Sequence, residues 1–340
     1  MTGKLGTRIL ELLRYGLAPR APAELAANFT VLSESARATL VHALVEHYFS
    51  RKIWGEAEMT ASAWLQTSAG RDDQRQHVDE RLTTFRHRVI PWLAAAKPLR
   101  GARILEIGCG TGASTVALAE QGAQVVAVDL DEASVAAARV RCDLHAVKAE
   151  FVLGNAIEIL PALTSRHFDF IIFFACLEHM THDERMQSMR LSWQHLDAGD
   201  LWCLVETPNR LWYHDEHTAQ LDFYHWLPDE LAFEYSRFSP RSPFNQAYRN
   251  PSADALLDFQ RHGRGLSYHE FDLSMVNARE LDVVSSMTLY WRSRPHLFGL
   301  RKLNHLRQFR YRYENTLARL GPELHRGLIQ PYLDLIIRKH

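Results

Sequence analysis

Residues 102–115 read ARILEIGCGTGAST, and this stretch decides the fold. An apolar run with one acid, Glu106, breaks into a loop holding Gly108, Gly110 and Gly112, which then opens a helix. Three glycines in five residues let the backbone turn sharply and let a ligand lie against the main chain with no Cβ in the way. The helix start presents free N–H groups and the positive end of its dipole. Strand, loop and helix together predict a nucleotide-type cofactor site.

Two cofactors compete for it. Gly108, Gly110 and Ala113 satisfy the dinucleotide fingerprint G-x-G-x-x-G/A, and Asp129 lies 21 residues after Gly108, where a ribose-binding acid belongs. Glu106 shifts the balance. Two residues ahead of the first glycine, its carboxylate is expected to point toward the loop mouth, where it would repel a pyrophosphate and suit a cation. S-adenosylmethionine (SAM) carries an ammonium and a sulfonium and no phosphate. The run EIGCGTG resembles the first motif of class I SAM-dependent methyltransferases. An ordinary glycine-rich strand–helix turn is the bland alternative.

Downstream, strand and helix patterns alternate. Residues 123–130, AQVVAVDL, form an apolar run ending at Asp129, as a buried parallel strand does. Residues 131–146 read as a helix, 149–159 as a third strand, 168–180 as a fourth, 183–196 as a helix and 200–208 as a fifth strand. This alternation predicts an α/β, doubly wound, Rossmann-like sheet with ligands outside the strand carboxyl ends. The resemblance covers 98–210 and implies seven strands, the last antiparallel. Residues 281–291 and 332–339 are the expected last two strands, with a helix between.

Position assigns the cofactor contacts. Asp129 can accept both ribose hydroxyls, or cap the next helix, although Asp131 is also placed for that. The resemblance puts Asn155 where the family often carries an aspartate for the adenine amino group, with Ala156 beside the ring. A turn role for Asn155 is the alternative. Leu130, beside Asp129, completes the expected cofactor set. Arg86 or Arg88 could meet the SAM carboxylate, or lie on a solvated helix face.

Leu177-Glu178-His179 resembles the L-E-H of the ubiquinone-biosynthesis O-methyltransferases. The resemblance implies an E-x-x-E-H divalent-metal motif, but Ala175 stands at its first position, so no metal site is assigned. His214, His217, Asp215 or Glu206 are candidate replacements for the missing ligand. Without metal, His179 is the candidate general base, with Glu178 beside it. Asn209, in Thr207-Pro208-Asn209-Arg210, is expected to orient the acceptor, or to be a turn residue. Residues 211–240 hold eight aromatics and three histidines, against 10% aromatics overall. Trp212, Tyr213, His214, Tyr224 and Trp226 are therefore expected to line the acceptor pocket, the alternative being a lid packed on its own aromatics.

Length and composition divide the chain into a helical cap or dimerisation region (1–97), the SAM-binding core (98–210), an aromatic-rich insertion (211–265) and the rest of the sheet (266–340). A net charge of −1 offers no general pull on nucleic acid or membrane, and no apolar run reaches the ~20 residues of a membrane span. The expected cofactor is SAM. The expected partners are a small-molecule acceptor, with oxygen favoured as the methylated atom, and a second copy of the chain. Residues 292–312 carry six arginines and Lys302 without an acid, which raises a metal-assisted RNA 2′-O-methyltransferase as an alternative. Leu300, Leu303, Leu306 and Phe309 at helical spacing argue instead for an amphipathic helix. A non-catalytic SAM-binding protein is the third alternative. The four scattered cysteines show no C-x-x-C spacing and suggest reduced thiols in a cytoplasmic protein.

Overall fold

The computed structural model describes residues 25, 29–49, 60–292 and 305–340. Much of the expected helical region 1–97, including residues 1–24, and the middle of the arginine-rich stretch lie outside the described residues.

In chain order the main elements begin with α1 (Glu34–Ala43), α2 (Ala61–Gln66), α3 (Ser68–Arg75), α4 (Arg81–Thr84) and α5 (Ile90–Ala94). The core follows as β1 (Arg103–Ile107), α6 (Ala113–Ala119), β2 (Gln124–Asp129), α7 (Glu132–Leu144), β3 (Glu150–Leu153), α8 (Ala156–Ala162), β4 (Phe170–Phe174), α9 (His182–His195) and β5 (Leu201–Val205). The insertion contributes α10 (Asp229–Tyr235), α11 (Ser242–Ala247) and α12 (Ala253–Arg261). Then come α13 (Tyr268–Ser274), β6 (Asp282–Ser286), α14 (Met287–Arg292), α15 (His305–Leu320) and β7 (Leu335–Arg338).

The seven strands form one sheet in the order β3-β2-β1-β4-β5-β7-β6. β1 to β5 pair in parallel, and β7 runs antiparallel to both β5 and β6. This is the doubly wound Rossmann-like α/β fold. β4 (FIIFF) and β5 (LWCLV) are buried at every position, as inner strands covered on both faces must be. One face packs Ile104, Val125 and Ile172 under α5 and α6, with Trp92 and Val116. The other packs Leu105, Ile171 and Trp202 against α9, with Met189 and Trp193. The order reverses between β1 and β4, which opens a crevice at their carboxyl ends, and the glycine loop lies there.

Three strands end well short of the sequence expectation, the fourth at Phe174 ahead of a 3₁₀ turn. The third strand ends at Leu153, because Asn155 caps α8 by accepting a hydrogen bond from the Ile157 N–H at 3.1 Å. The sixth ends at Ser286, where α14 begins. α7 starts on Asp131, whose side chain accepts from Ala133 and Ser134. The four cysteines are free. Among the described residues no helix is long and apolar enough to cross a membrane.

Candidate active site

A cavity of about 400 Å³ opens at the carboxyl ends of β1, β2 and β4. The glycine loop forms its floor. Gly108 has φ +83°, and a Cβ there would fall 2.7 Å from Cys176 Cβ and 2.8 Å from the Phe174 carbonyl oxygen. Only glycine fits that crossing between β1 and β4. Gly110 lines the cavity and has no atom within 4 Å of a would-be Cβ, whereas Gly112 packs against Ala138 of α7.

Asp129, Leu130, Asn155 and Ala156 all line this cavity. The Asp129 carboxylate accepts the Gly110 N–H at 2.7 Å and the Asp131 N–H at 3.0 Å. Each oxygen keeps a further acceptor position. Burial raises its pKa, against those backbone bonds. Asn155 plays the turn role through its oxygen, and its NH₂ has no protein partner among the described residues.

Glu106 is not at the loop mouth. It is fully buried, it does not line the cavity, and it accepts the Thr115 hydroxyl at 2.7 Å in the first turn of α6. Side chains alternate along a strand, so Ile107 faces the cavity and Glu106 lies behind the loop. Burial pushes its pKa up to about 7, and bonds from Ser114 and Thr115 limit the rise. The expectation that this carboxylate meets the sulfonium directly is corrected: its contact is with the helix that carries the loop.

The N-terminal helices supply one wall. Tyr48, His77, Arg81 and Phe85 line the cavity. Arg86 instead pairs with Glu120, its Nε 2.9 Å from Oε2, and Arg88 faces a neighbouring cavity. The run from α3 to α5 contains π-turns at Gln76–Glu80 and Phe85–Val89. Each adds a residue and rotates the downstream helix by about 100°.

At the opposite wall β4 ends in a 3₁₀ turn, Leu177–His179. Arg185 of α9 fixes the turn by donating to the Leu177 carbonyl at 2.9 Å while pairing with buried Glu270 at 3.0 Å. The Arg264 N–H donates to the Glu178 carbonyl at 2.8 Å. Glu178 is fully buried. Its Oε2 accepts from Thr207 at 3.4 Å, and its Oε1 accepts no hydrogen bond. That oxygen lies 4.0 Å from His179 Nε2 and 3.8 Å from His217 Nε2. The far nitrogens of the two rings are engaged, His179 Nδ1 with the Arg261 carbonyl at 3.0 Å and His217 Nδ1 with the Thr218 hydroxyl at 3.1 Å.

This arrangement fits a divalent cation. Three ligand atoms converge within 4.8 Å, one from an orphaned buried carboxylate. The engaged Nδ1 atoms orient both rings, as outer partners of metal-bound histidines do. Burial pushes the Glu178 pKa up to about 8, with the neighbouring Glu206 adding to the rise. Burial, and then the charge of His179, lowers that of His217 to about 3, so His217 is neutral at physiological pH. His217, one of four candidates that the sequence left open, lies where it could supply the ligand absent at Ala175. Its loop is built on Asp215, which accepts backbone N–H groups from His217 at 2.8 Å and Thr218 at 2.9 Å. The signal was present as Asp215-x-His217 followed by small residues, but nothing in the sequence says which insertion histidine returns to β4.

The other expected acceptor contacts lie elsewhere. Trp212 is buried with Leu317 and Ile329, Tyr213 packs edge-on to Phe309, and His214 bonds Asp222 at 2.7 Å. Tyr224 is fully buried in the insertion's own core, and Trp226 is half-exposed beside Phe223. None of the five lines this cavity or its neighbour. The aromatics build the core of the insertion, because some fifty residues projecting from a sheet need an apolar centre of their own.

Asn209 is likewise corrected. It is buried, its Nδ2 donates to the Leu328 and Gln330 carbonyls at 3.0 and 2.8 Å, and its Oδ1 accepts from Leu211 N–H at 2.9 Å. Every bond is spent bracing the segment before β7. Asn209→Ala should therefore lower unfolding stability by about 2–4 kcal/mol, measured in denaturant, with SAM affinity unchanged. A loss of SAM affinity at unaltered stability would contradict the brace.

Residues 104–199 match the family model described as Methyltransferase domain. Over 66 residues the chain is 42% identical to a cypemycin N-terminal methyltransferase of Streptomyces sp, spanning 18% of this chain and 27% of that protein. Over 93 residues it is 37% identical to a ubiquinone biosynthesis O-methyltransferase of Xylella fastidiosa (strain 9a5c), 27% of this chain and 36% of the relative. The chain thus spans about a quarter to a third of the length of these curated relatives. A magnesium protoporphyrin IX methyltransferase from Synechocystis PCC 6803, solved with bound SAM, is 20% identical with a TM-score of 0.36 over 55% of this chain and 83% of that one. Residues 104–199 thus carry a class I SAM-dependent methyltransferase domain, resembling that of the ubiquinone-biosynthesis O-methyltransferases, with SAM as its cofactor.

Proposed function

We propose that the protein transfers the methyl group of SAM to an oxygen of a small-molecule acceptor. The observation that carries this reading is the convergence of His179 and His217, which line the cofactor cavity, on the buried Glu178 behind them, whose Oε1 is unbonded. A sulfonium is already a strong electrophile, so the protein need only align the acceptor, exclude water and manage one proton. A thioether needs no such group, and an amine needs only a base. An alcohol or phenol has a high pKa and gains most from a cation beside it.

In this reading Asp129 accepts from the ribose hydroxyls, and Asn155, Ala156 and Leu130 hold the adenine. Arg81 meets the methionyl carboxylate in place of Arg86 or Arg88. Glu178, His179 and His217 would hold a divalent metal, which when bound would lower the acceptor hydroxyl's pKa and stabilise its oxyanion. Thr207 and Arg185 keep Glu178 in place. Neutral His217 offers its Nε2 lone pair without first losing a proton. In the absence of a metal, His179 Nε2, on the more exposed of the two rings, is the group placed to take the acceptor proton.

Two measurements test the reading. Calorimetry should give micromolar SAM binding with NAD(H) silent. Manganese(II) titrated in and followed by electron paramagnetic resonance should fill one site per chain, lost in His217→Ala. No heat with SAM refutes the function. SAM binding with no manganese site leaves the domain and removes the metal-assisted chemistry.

A further inference from the structure

A second cavity, of about 310 Å³, adjoins the first. Glu206 and His217 line both. Glu206 is held at φ +61°, a left-handed conformation that non-glycine residues adopt uncommonly. Its N–H donates to buried Asp334 at 2.6 Å, which keeps the residue on the dividing wall. The rest of the lining comes from distant parts of the chain, including Arg88, Arg292, Arg310 and Tyr332.

Acids and guanidinium groups share this wall. Glu206 lies on the divide between the cavities, with Asp334 and Glu178 near enough to feel its charge, and Glu216 also lines the second cavity. The guanidinium groups belong to residues that reach solvent. Arg88 is exposed, and the side chains of Arg292 and Arg310 are 47% and 41% accessible. Arg292 pairs with Glu314 at 2.9 Å, and Arg310 lies 4.0 Å from Glu216. Arg88 makes no hydrogen bond or ion pair among the described residues and acts on Asp334 only through space. An anion pushed toward Glu206 would be repelled, whereas an anion at the outer end would meet Arg88 and a weakly engaged Arg310. A molecule with one acidic end and one neutral hydroxyl therefore has one favoured orientation, with the hydroxyl toward Glu206, His217 and the cofactor.

We propose that the second cavity is the acceptor chamber, and that Arg88 with Arg310 selects acceptors carrying a carboxylate or phosphate remote from the methylated oxygen. This rests on the methyltransferase reading above. The test uses the protein saturated with S-adenosylhomocysteine and two probe pairs, 3-hydroxybenzoate against 3-hydroxybenzamide and glycerol 3-phosphate against glycerol. In calorimetry at least one anion should bind about tenfold or more tighter than its neutral twin, and the better pair tells carboxylate from phosphate. Salt at about 0.5 M should erode that preference, because screening acts on exposed charges. Arg88→Gln with Arg310→Gln should raise the anion's Kd about tenfold, with S-adenosylhomocysteine affinity unchanged as the measure of an intact fold. The proposal is overturned if neither anion outbinds its twin, or if the preference survives both substitutions. Failure of S-adenosylhomocysteine to bind at all would count against the methyltransferase reading instead.

Discussion

Gly110→Val should abolish measurable SAM binding and lower the melting temperature by a few degrees, whereas Gly108→Val should lower the melting temperature much further, along with SAM affinity. The two glycines lie two residues apart in one loop and do different jobs. At Gly108 the backbone of β1 crosses the end of β4 with no room for a Cβ, since Cys176 and Phe174 lie within 3 Å of it. A side chain there must push two inner strands apart and also occupy φ +83°. Left-handed strain and overpacking cost about 1–3 kcal/mol each, on the order of 100-fold or more in cofactor affinity if the loop yields first. At Gly110 a Cβ meets no protein atom and φ is +49°, so an isopropyl group would fold into the space the cofactor needs. Calorimetry and a thermal melt on both variants separate the cases. SAM binding by Gly110→Val at wild-type affinity would move the cofactor to another cavity.

The contrast shows what the sequence made legible. The glycine spacing, the acid at the end of β2 and the regular strand–helix alternation are local properties, so sheet, loop and cofactor were readable from them. Glu106 was legible as a deciding residue but not in its geometry. Which face of a strand an acid takes depends on where the preceding strand begins its pleat. The insertion was misread for a similar reason. Aromatic density marks burial, and a segment of this size buries aromatics in its own centre before it can offer them to a ligand. The acceptor side instead comes from His217, Glu206, Arg88 and Arg310, single polar residues on four separate segments. Contacts of that kind have no sequence spacing. The π-turns carried no warning either, since their residues have ordinary helical propensity.

Glu178→Gln should cost on the order of 100- to 1,000-fold in turnover while making the metal-free protein more stable above neutral pH. The two effects share a cause. The carboxyl is buried with one oxygen unbonded, and burial pushes its pKa up to about 8, from an ordinary 4.5. A folded-state pKa above the unfolded value means that the associated stability is fully present below about pH 4.5 and is lost as pH rises through 8. Glutamine stands in for the protonated acid at every pH. The melting temperatures of wild type and variant should therefore diverge in chelator as pH climbs from 5 to 9, the variant being higher. Each kcal/mol is worth about 2–4 °C in a chain of this size. Manganese should then raise the wild-type melting temperature at pH 8 and leave the variant's where it was, because a bound cation offsets the buried charge that glutamine lacks. Parallel melting curves across that range would mean that Glu178 is no strained acid. Undiminished turnover by the variant would mean that the oxygen at the centre of the cluster takes no part in the chemistry.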